Sequence, residues 1–292
     1  MPAGFLLLVA YLFSYMDLTL AFNALIMGIV EGLTEFLPIS STGHLILTGS
    51  LLDFTGPKVR VFEIAIQLGA LLAVFWEYRE RLISVSTGFL TRPRDRRFAL
   101  NVVVGSMPAI IIGLIFAKQI QDDLFSPVPV ALGFIVGGLV ILWVEKLYKA
   151  RPERVRIHSV DELTAMDALK VGCAQAVALI PGTSRSGASI IGGLFFGMSR
   201  TAATEFSFFL AIPMLTGATA YSVYKGWDIL FLEDLPMFLV GGASAFVSGF
   251  LCVRWLLRYI SQHDFSIFAW YRIAFGLFII LSAYYGWVDW GG

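Results

Sequence analysis

The sequence predicts an all-α integral membrane protein with six transmembrane helices plus two re-entrant helical hairpins in an inverted-topology repeat. Three observations carry this. Apolar residues fill 58% of 292 positions and charged residues only 14%, whereas a soluble domain is ~45–50% apolar and needs about twice that charged fraction to cover its surface. Six apolar runs are long enough to cross the ~30 Å hydrocarbon core, which takes about 17–25 residues. The loops between them alternate between basic-rich and basic-poor.

Taken in order, residues 1–15 ("MPAGFLLLVAYLFSY") form an apolar run that lacks the positive flank and small-residue cleavage site of a signal peptide. With Met16 as a plausible second start, they are expected to be an extension without function, leaving 16–292 as a single membrane domain. The spans are expected at 62–78, 98–117, 128–145, 203–223, 236–257 and 269–288. The loop at 79–97 carries Arg79, Arg81, Arg92, Arg94, Arg96 and Arg97. The loop at 146–170 carries Lys146, Lys149, Arg151, Arg154, Arg156 and Lys170. The positive-inside rule puts both in the cytoplasm, together with 254–264, which holds Arg254 and Arg258. The basic-poor loops at 118–127 and 225–235 then face outward.

This alternation leaves two segments that begin and end on one side: 18–58 outside and 165–200 inside. Each must enter the membrane and turn back. They also resemble each other, reading "FLPISSTGH" and "LIPGTSRSG", and each leads into a phenylalanine-rich span with one acid, Glu63 or Glu205. Opposite entry sides make them the broken helices of an inverted repeat, spanning about 18–148 and 163–290 and meeting near the membrane middle.

The chemistry concentrates in these hairpins. Glu31 and Glu35 lie four residues apart, on one helical face with side chains roughly 6 Å from each other. Two carboxylates so close, in a low-dielectric setting, are expected to share a proton or a hard divalent ion such as Mg²⁺ or Ca²⁺. Pro38 stops the helix near Leu37, and Ser40, Ser41 and Thr42 offer N-caps for a second helix with His44 in its first turn. The free N–H groups of such a helix suit an anion, and backbone of this kind is tolerated at membrane depth only when buried in protein or lining a wet cavity. In the second hairpin Arg185 stands between Ser184 and Ser186, with Thr183 before them and Gly187 after. Its guanidinium matches the oxygens of a phosphate. Together the two loops compose a set able to bind and hydrolyse a metal-chelated phosphate.

Plainer roles compete with these. The hydroxyl residues also pack or cap helices, His44 also serves as a core histidine, and Arg185 as a counter-ion. Glu63, Glu205 and Arg272 fit an interhelical ion network as well as a site, His158 and His263 are expected to be solvated, and Cys173 and Cys252 have neither metal spacing nor a disulfide framework. Zero formal net charge gives no reason to expect a nucleic-acid partner.

The stretches "EGLTEFLPISSTGH" and "PGTSRSGASIIGGLFFGMSR", with "FEIAIQLGALLAV" and "EFSFFLAIPMLTGA", resemble the bacterial undecaprenyl-pyrophosphate phosphatases, the bacitracin-resistance family, from about residue 20 onward. The resemblance implies a six-span bundle with two re-entrant hairpins in the inner membrane. It further implies a divalent cation and hydrolysis of a polyprenyl pyrophosphate to undecaprenyl phosphate and inorganic phosphate at a site open to the outer, periplasmic face. Carried over by position, the family's acidic pair falls on Glu31 and Glu35, its loop hydroxyl on Ser41, its histidine on His44 and its arginine on Arg185. Attack by Ser41 with His44 as base, by His44 oriented by Glu35, and by water all stay open, as does a homodimer. The competing class is a polyprenyl-phosphate flippase or small-molecule transporter, because inverted repeats also build transporter sites.

Overall fold

The computed structural model describes residues 17–288 and residue 290; the expected extension at 1–15 lies outside the described residues. Every described element is helical apart from turns and one isolated bridge between Ile157 and Met198. The first half comprises α1 (Leu18–Thr34), α2 (Ser41–Leu51), α3 (Pro57–Glu77), α4 (Arg79–Gly88), α5 (Pro93–Leu124) and α6 (Pro127–Ala150). The second comprises α7 (Ala165–Ala176), α8 (Arg185–Phe195), α9 (Arg200–Lys225), α10 (Leu235–Ile260) and α11 (Ser266–Tyr284).

Six helical segments are long and apolar enough to cross a membrane: Pro57–Glu77, Pro93–Phe116, Pro127–Ala150, Arg200–Lys225, Leu232–Ile260 and Ser266–Tyr284. Each overlaps one expected span. Three start at a proline, where the missing N–H costs nothing and the fixed φ suits a first turn. These helices therefore begin up to five residues before the apolar run at 62–78 and its counterparts. One expectation needs correcting. The segment 79–97 is not all loop, because Arg79–Gly88 forms α4, a short charged helix with little apolar periodicity to betray it.

The two leftover segments each fold as a pair of short helices broken by a loop, α1 with α2 and α7 with α8. Apart from α4, the halves run in the same order: two short helices and then three long ones. They also exchange partners reciprocally. The first helix of each half packs on the fourth of the other, α1 on α10 and α7 on α5, while α3 meets α9 and α6 meets α11.

The ion pairs respect the expected sidedness. Lys58 meets Asp234 at 2.8 Å, joining two segments assigned outside. Arg81 holds Asp95 at 2.9 Å and also Asp161, Lys149 pairs with Asp264, and Arg254 reaches Glu77 at 2.7 Å, each joining segments assigned inside. Among the described residues, and apart from the pair between the two hairpin tips, every ion pair between distant loops joins one side to itself.

Close helix approach depends on missing side chains. A Cβ at Gly32 would stand 2.3 Å from the Ala245 carbonyl oxygen and 2.1 Å from Ser248 Oγ, so α1 lies directly on α10. Membrane helices gain nothing from burying apolar surface against one another, and such small-residue contact is their main adhesive. Cys252 is buried here, donating from Sγ to the Leu33 carbonyl at 3.2 Å, whereas Cys173 is exposed on α7. Replacing Gly32 by leucine forces the helices apart and is expected to lower the melting temperature in detergent sharply. Gly217→Ala, where a Cβ meets nothing within 4 Å, should leave it unchanged or slightly raised, since alanine is favoured by about 1 kcal/mol in a helix. Equal melting shifts for the two variants would contradict this packing.

Candidate active site

The loop 35–40 and the loop 177–184 face each other in the middle of the bundle. Helix α1 ends with the Glu35 N–H donating to the Glu31 carbonyl at 2.9 Å, which places the two carboxylates one turn apart as their spacing predicts. The chain then turns through Pro38 to Ser40, and the second hairpin turns through Pro181 and Gly182 to Ser184. Ser40 and Ser184 adopt left-handed φ values of 68° and 73°, each immediately before the second helix of its hairpin. The same strained corner thus recurs in both halves. Strain of this kind persists only where surroundings over-determine it, and at Ser184 the side chain pins the corner by accepting from the Gly187 N–H at 3.0 Å. Gly182, at φ 84°, passes so near α6 that a Cβ would stand 2.2 Å from the Val130 carbonyl oxygen.

Arg272 of α11 holds this assembly together. It is wholly buried, and its guanidinium donates to four backbone carbonyls: Pro38 at 3.1 Å, Gly182 at 2.9 Å, Gly133 at 2.8 Å and Phe134 at 3.3 Å. One side chain therefore satisfies carbonyls from both hairpin loops and from α6. The ion network suggested for Arg272 with Glu63 and Glu205 is not formed; among the described residues neither acid makes an ion pair. A second tie runs from Ser186 Oγ to the Leu37 carbonyl at 2.7 Å.

With the loops clasped, the first residues of α2 and α8 converge on one carboxylate. Ser41 Oγ donates to Glu35 Oε2 at 2.7 Å, and Arg185 Nη2 donates to Glu35 Oε1 at 2.9 Å. Arg185 is braced from behind, with Nη1 donating to the Ser207 carbonyl at 2.9 Å, and Ser189 donating to Ser207 Oγ at 2.7 Å. Its Nε–H has no partner among the described residues. A cavity of about 140 Å³ opens at this point, lined by Glu35, Ser40, Ser41, Thr42, Ser184 and Arg185, with Gln67, Phe125 and Leu215 among its other walls. Two helix N-termini and a guanidinium border it, which is the donor set an anion requires.

Glu31 is fully buried, and among the described residues neither of its carboxylate oxygens has a hydrogen-bond partner. Two such orphaned acceptors are costly unless a proton or a cation answers them. Among the described residues no group of three or more His, Cys, Asp or Glu is placed to hold an ion. Two carboxylates still fit Mg²⁺, which is held by one or two of them together with substrate phosphates.

His44 is placed differently from Ser41. Its Nδ1 meets the Ser40 carbonyl at 2.7 Å; because that oxygen only accepts, Nδ1 carries a proton, and in the neutral ring Nε2 accepts from the Tyr271 hydroxyl at 2.6 Å. The ring stacks on Phe275 with centroids 4.4 Å apart and on Tyr271 at 5.6 Å. His44 is not hydrogen-bonded to Ser41, and it is absent from the cavity wall. Thr183 is half-buried in the same turn as Ser184. Sequence reasoning missed Tyr271, Ser207 and Gln67. Gln67, an amide one turn beyond Glu63 in an apolar span, was the most visible of the three.

The protein-family model described as bacitracin resistance protein BacA matches residues 24–278. The undecaprenyl-diphosphatases of Janthinobacterium sp. and Herminiimonas arsenicoxydans are each 67% identical to this chain over 275 residues, covering 94% of it and 99% of the relative. Undecaprenyl-diphosphatase 1 of Burkholderia lata is 58% identical over 275 residues, covering 94% and 100%.

Replacing Arg272 by lysine keeps the charge but supplies at most three donors from one point. The stranded carbonyls, at about 1–3 kcal/mol each, should lower the melting temperature and the catalytic rate together. A variant with wild-type melting and activity would show that the loops hold themselves.

Proposed function

The chain belongs to the bacitracin resistance protein BacA family, and from that premise we propose how its site works. It is a multi-pass membrane enzyme, an undecaprenyl-diphosphatase, which hydrolyses undecaprenyl pyrophosphate to undecaprenyl phosphate and inorganic phosphate. The product is the lipid carrier for peptidoglycan and other envelope polymers, and the family name ties the activity to bacitracin resistance. The relatives named above are phosphatases rather than transporters.

In our reading, Ser41 is the nucleophile and Glu35 its base. The observation that carries this is the 2.7 Å hydrogen bond between them at the cavity wall. Ser41 Oγ attacks the terminal phosphorus in line, its proton passes to Glu35 Oε2, and the bond to the bridging oxygen breaks to release undecaprenyl phosphate. Water then attacks the phosphoserine, returning a proton to Ser41 and releasing phosphate. Arg185 and the N–H groups at the starts of α2 and α8 answer the charge on the transferring group, and in a site shielded from water such fixed donors are worth most. Ser40, Thr42, Thr183, Ser184, Ser186 and Gly187 shape the cradle. His44 positions Ser40 through its carbonyl and is itself held by Tyr271.

Mg²⁺ or Ca²⁺, held by Glu31 and Glu35, would supply further charge neutralisation on the pyrophosphate. The orphaned oxygens of Glu31 support this assignment. The cavity wall includes Phe125, in a segment the basic-residue bias assigns outside, which supports a site opening to the periplasmic face of the inner membrane. A homodimer is compatible with this arrangement, since the site is built within one chain.

Purified protein in detergent should release phosphate from undecaprenyl pyrophosphate without any second compartment. Chelation should abolish release, with Mg²⁺ or Ca²⁺ restoring it; metal-independent hydrolysis would remove the cation from the account. A phosphoryl group trapped during turnover should map to Ser41 and disappear in Ser41→Ala. A phosphorylated His44 would overturn the assignment of the nucleophile.

A further inference from the structure

A second groove lies at the opposite, basic end of the bundle, between the end of α6 and the end of α8. Leu147, Tyr148, Leu194 and Phe195 form its apolar walls, and Arg151 and Arg154 stand at its mouth. The three-residue turn Pro152–Arg154 brings the second arginine back toward the first.

Like Lys146 and Lys170, and unlike the other cations of this stretch, these two have no acidic partner among the described residues. In the same stretch Lys149 is neutralised by Asp264 and Arg156 by Asp167, while Arg200 binds Glu145. In the other basic loop, Arg81 and Arg94 close on Asp161. Arg151 and Arg154 are exposed, and neither side chain has a hydrogen-bond or ion-pair partner among the described residues.

The groove continues into the lipid-facing surface. Val136, Val140, Trp143 and Leu147 follow one another at spacings of four, three and four residues, so they form one stripe along α6, and Arg151 caps the end of that helix. Val136, Val140 and Trp143 are 54%, 42% and 53% exposed, and Trp143 lies beside the exposed Phe195 with ring centroids 5.5 Å apart. Tryptophan marks the membrane interface, and Arg151 lies eight residues beyond it, about 12 Å along a helix.

An apolar stripe ending in two uncompensated cations at headgroup height matches a lipid with an anionic head. We propose that this groove binds one acidic phospholipid, its phosphate between Arg151 and Arg154 and an acyl chain along Trp143, Val140 and Val136. The site is separate from the catalytic cavity and needs none of its residues.

Native mass spectrometry of the detergent-purified protein, offered phosphatidylglycerol, phosphatidylcholine or soluble glycerol phosphate, tests it. The wild-type chain should retain phosphatidylglycerol about tenfold over phosphatidylcholine, as two interfacial cations allow, and should not retain glycerol phosphate. The double variant Arg151→Gln with Arg154→Gln should lose that preference while still releasing phosphate from substrate. The pair Arg151→Lys with Arg154→Lys should keep most of the preference, a control should the glutamine pair fold poorly. Trp143→Ala should weaken retention of both lipids. Glu35→Gln should bind phosphatidylglycerol like wild type, which separates this site from the catalytic one. Undiminished preference in the glutamine pair, equal retention of the two lipids by wild type, or retention of glycerol phosphate would each overturn the proposal.

Discussion

Backbone that leaves helical geometry inside a membrane must find hydrogen bonds within the protein, and here Arg272 meets much of that requirement. Its four carbonyl acceptors come from the loop after α1, the loop before α8, and α6. A guanidinium carries five donors in a fixed plane, so a single residue can answer several unrelated loops where lysine cannot. Burial of that charge without a carboxylate is tolerated because all its hydrogen bonds go to carbonyl dipoles and its guanidinium carbon lies 5.5 Å from the Phe134 ring centre. What this arrangement fixes is the position of two loops, and Glu35, Ser41 and Arg185 stand on or directly beside those loops.

Once the loops are fixed, the charges of the site follow. Glu35 receives Ser41 from one hairpin and Arg185 from the other, so the acid and its cation are contributed by different halves of the chain. The pair is nearly dry, with side chains 6% and 12% exposed. Buried pairs of this kind add little net stability but are costly to break singly, about 3–5 kcal/mol, because one charge is stranded. The pair is therefore better understood as an orienting device for Ser41 than as a fold stabiliser. Glu31, one turn back, is the complementary feature: a buried carboxylate whose oxygens find no hydrogen-bond partner among the described residues.

Much of this was legible in the sequence. Apolar run length located all six spans, and the alternation of arginine-rich with arginine-poor loops required two segments to turn back, which is how α1–α2 and α7–α8 are built. The Glu31–Glu35 spacing and the arginine of "PGTSRSG" pointed to the two sides of the cavity. Other parts were hidden for definable reasons. Helix α4 has too little apolar periodicity to show itself. Arg272 looked like one member of an acid–base network because nothing local reveals that its acceptors are carbonyls. Tyr271 meets His44 across 227 residues of sequence, and a contact of that range leaves no local mark. The sequence left Ser41 with His44 as its base, His44 itself and water open as attacking groups; the fold turns the Ser41 hydroxyl to Glu35 and the imidazole to Tyr271, contacts that no local pattern shows.

If Glu35 and Arg185 join the two hairpins into one catalytic unit, their substitutions cannot act independently. A double-mutant cycle on kcat/KM for phosphate release, using Glu35→Gln, Arg185→Gln and both together, tests it most directly. Groups that act as a unit are strongly non-additive, so the double variant should be scarcely worse than the more damaging single one. Losses that simply multiply would show two independent residues, and the single clasped site would not stand.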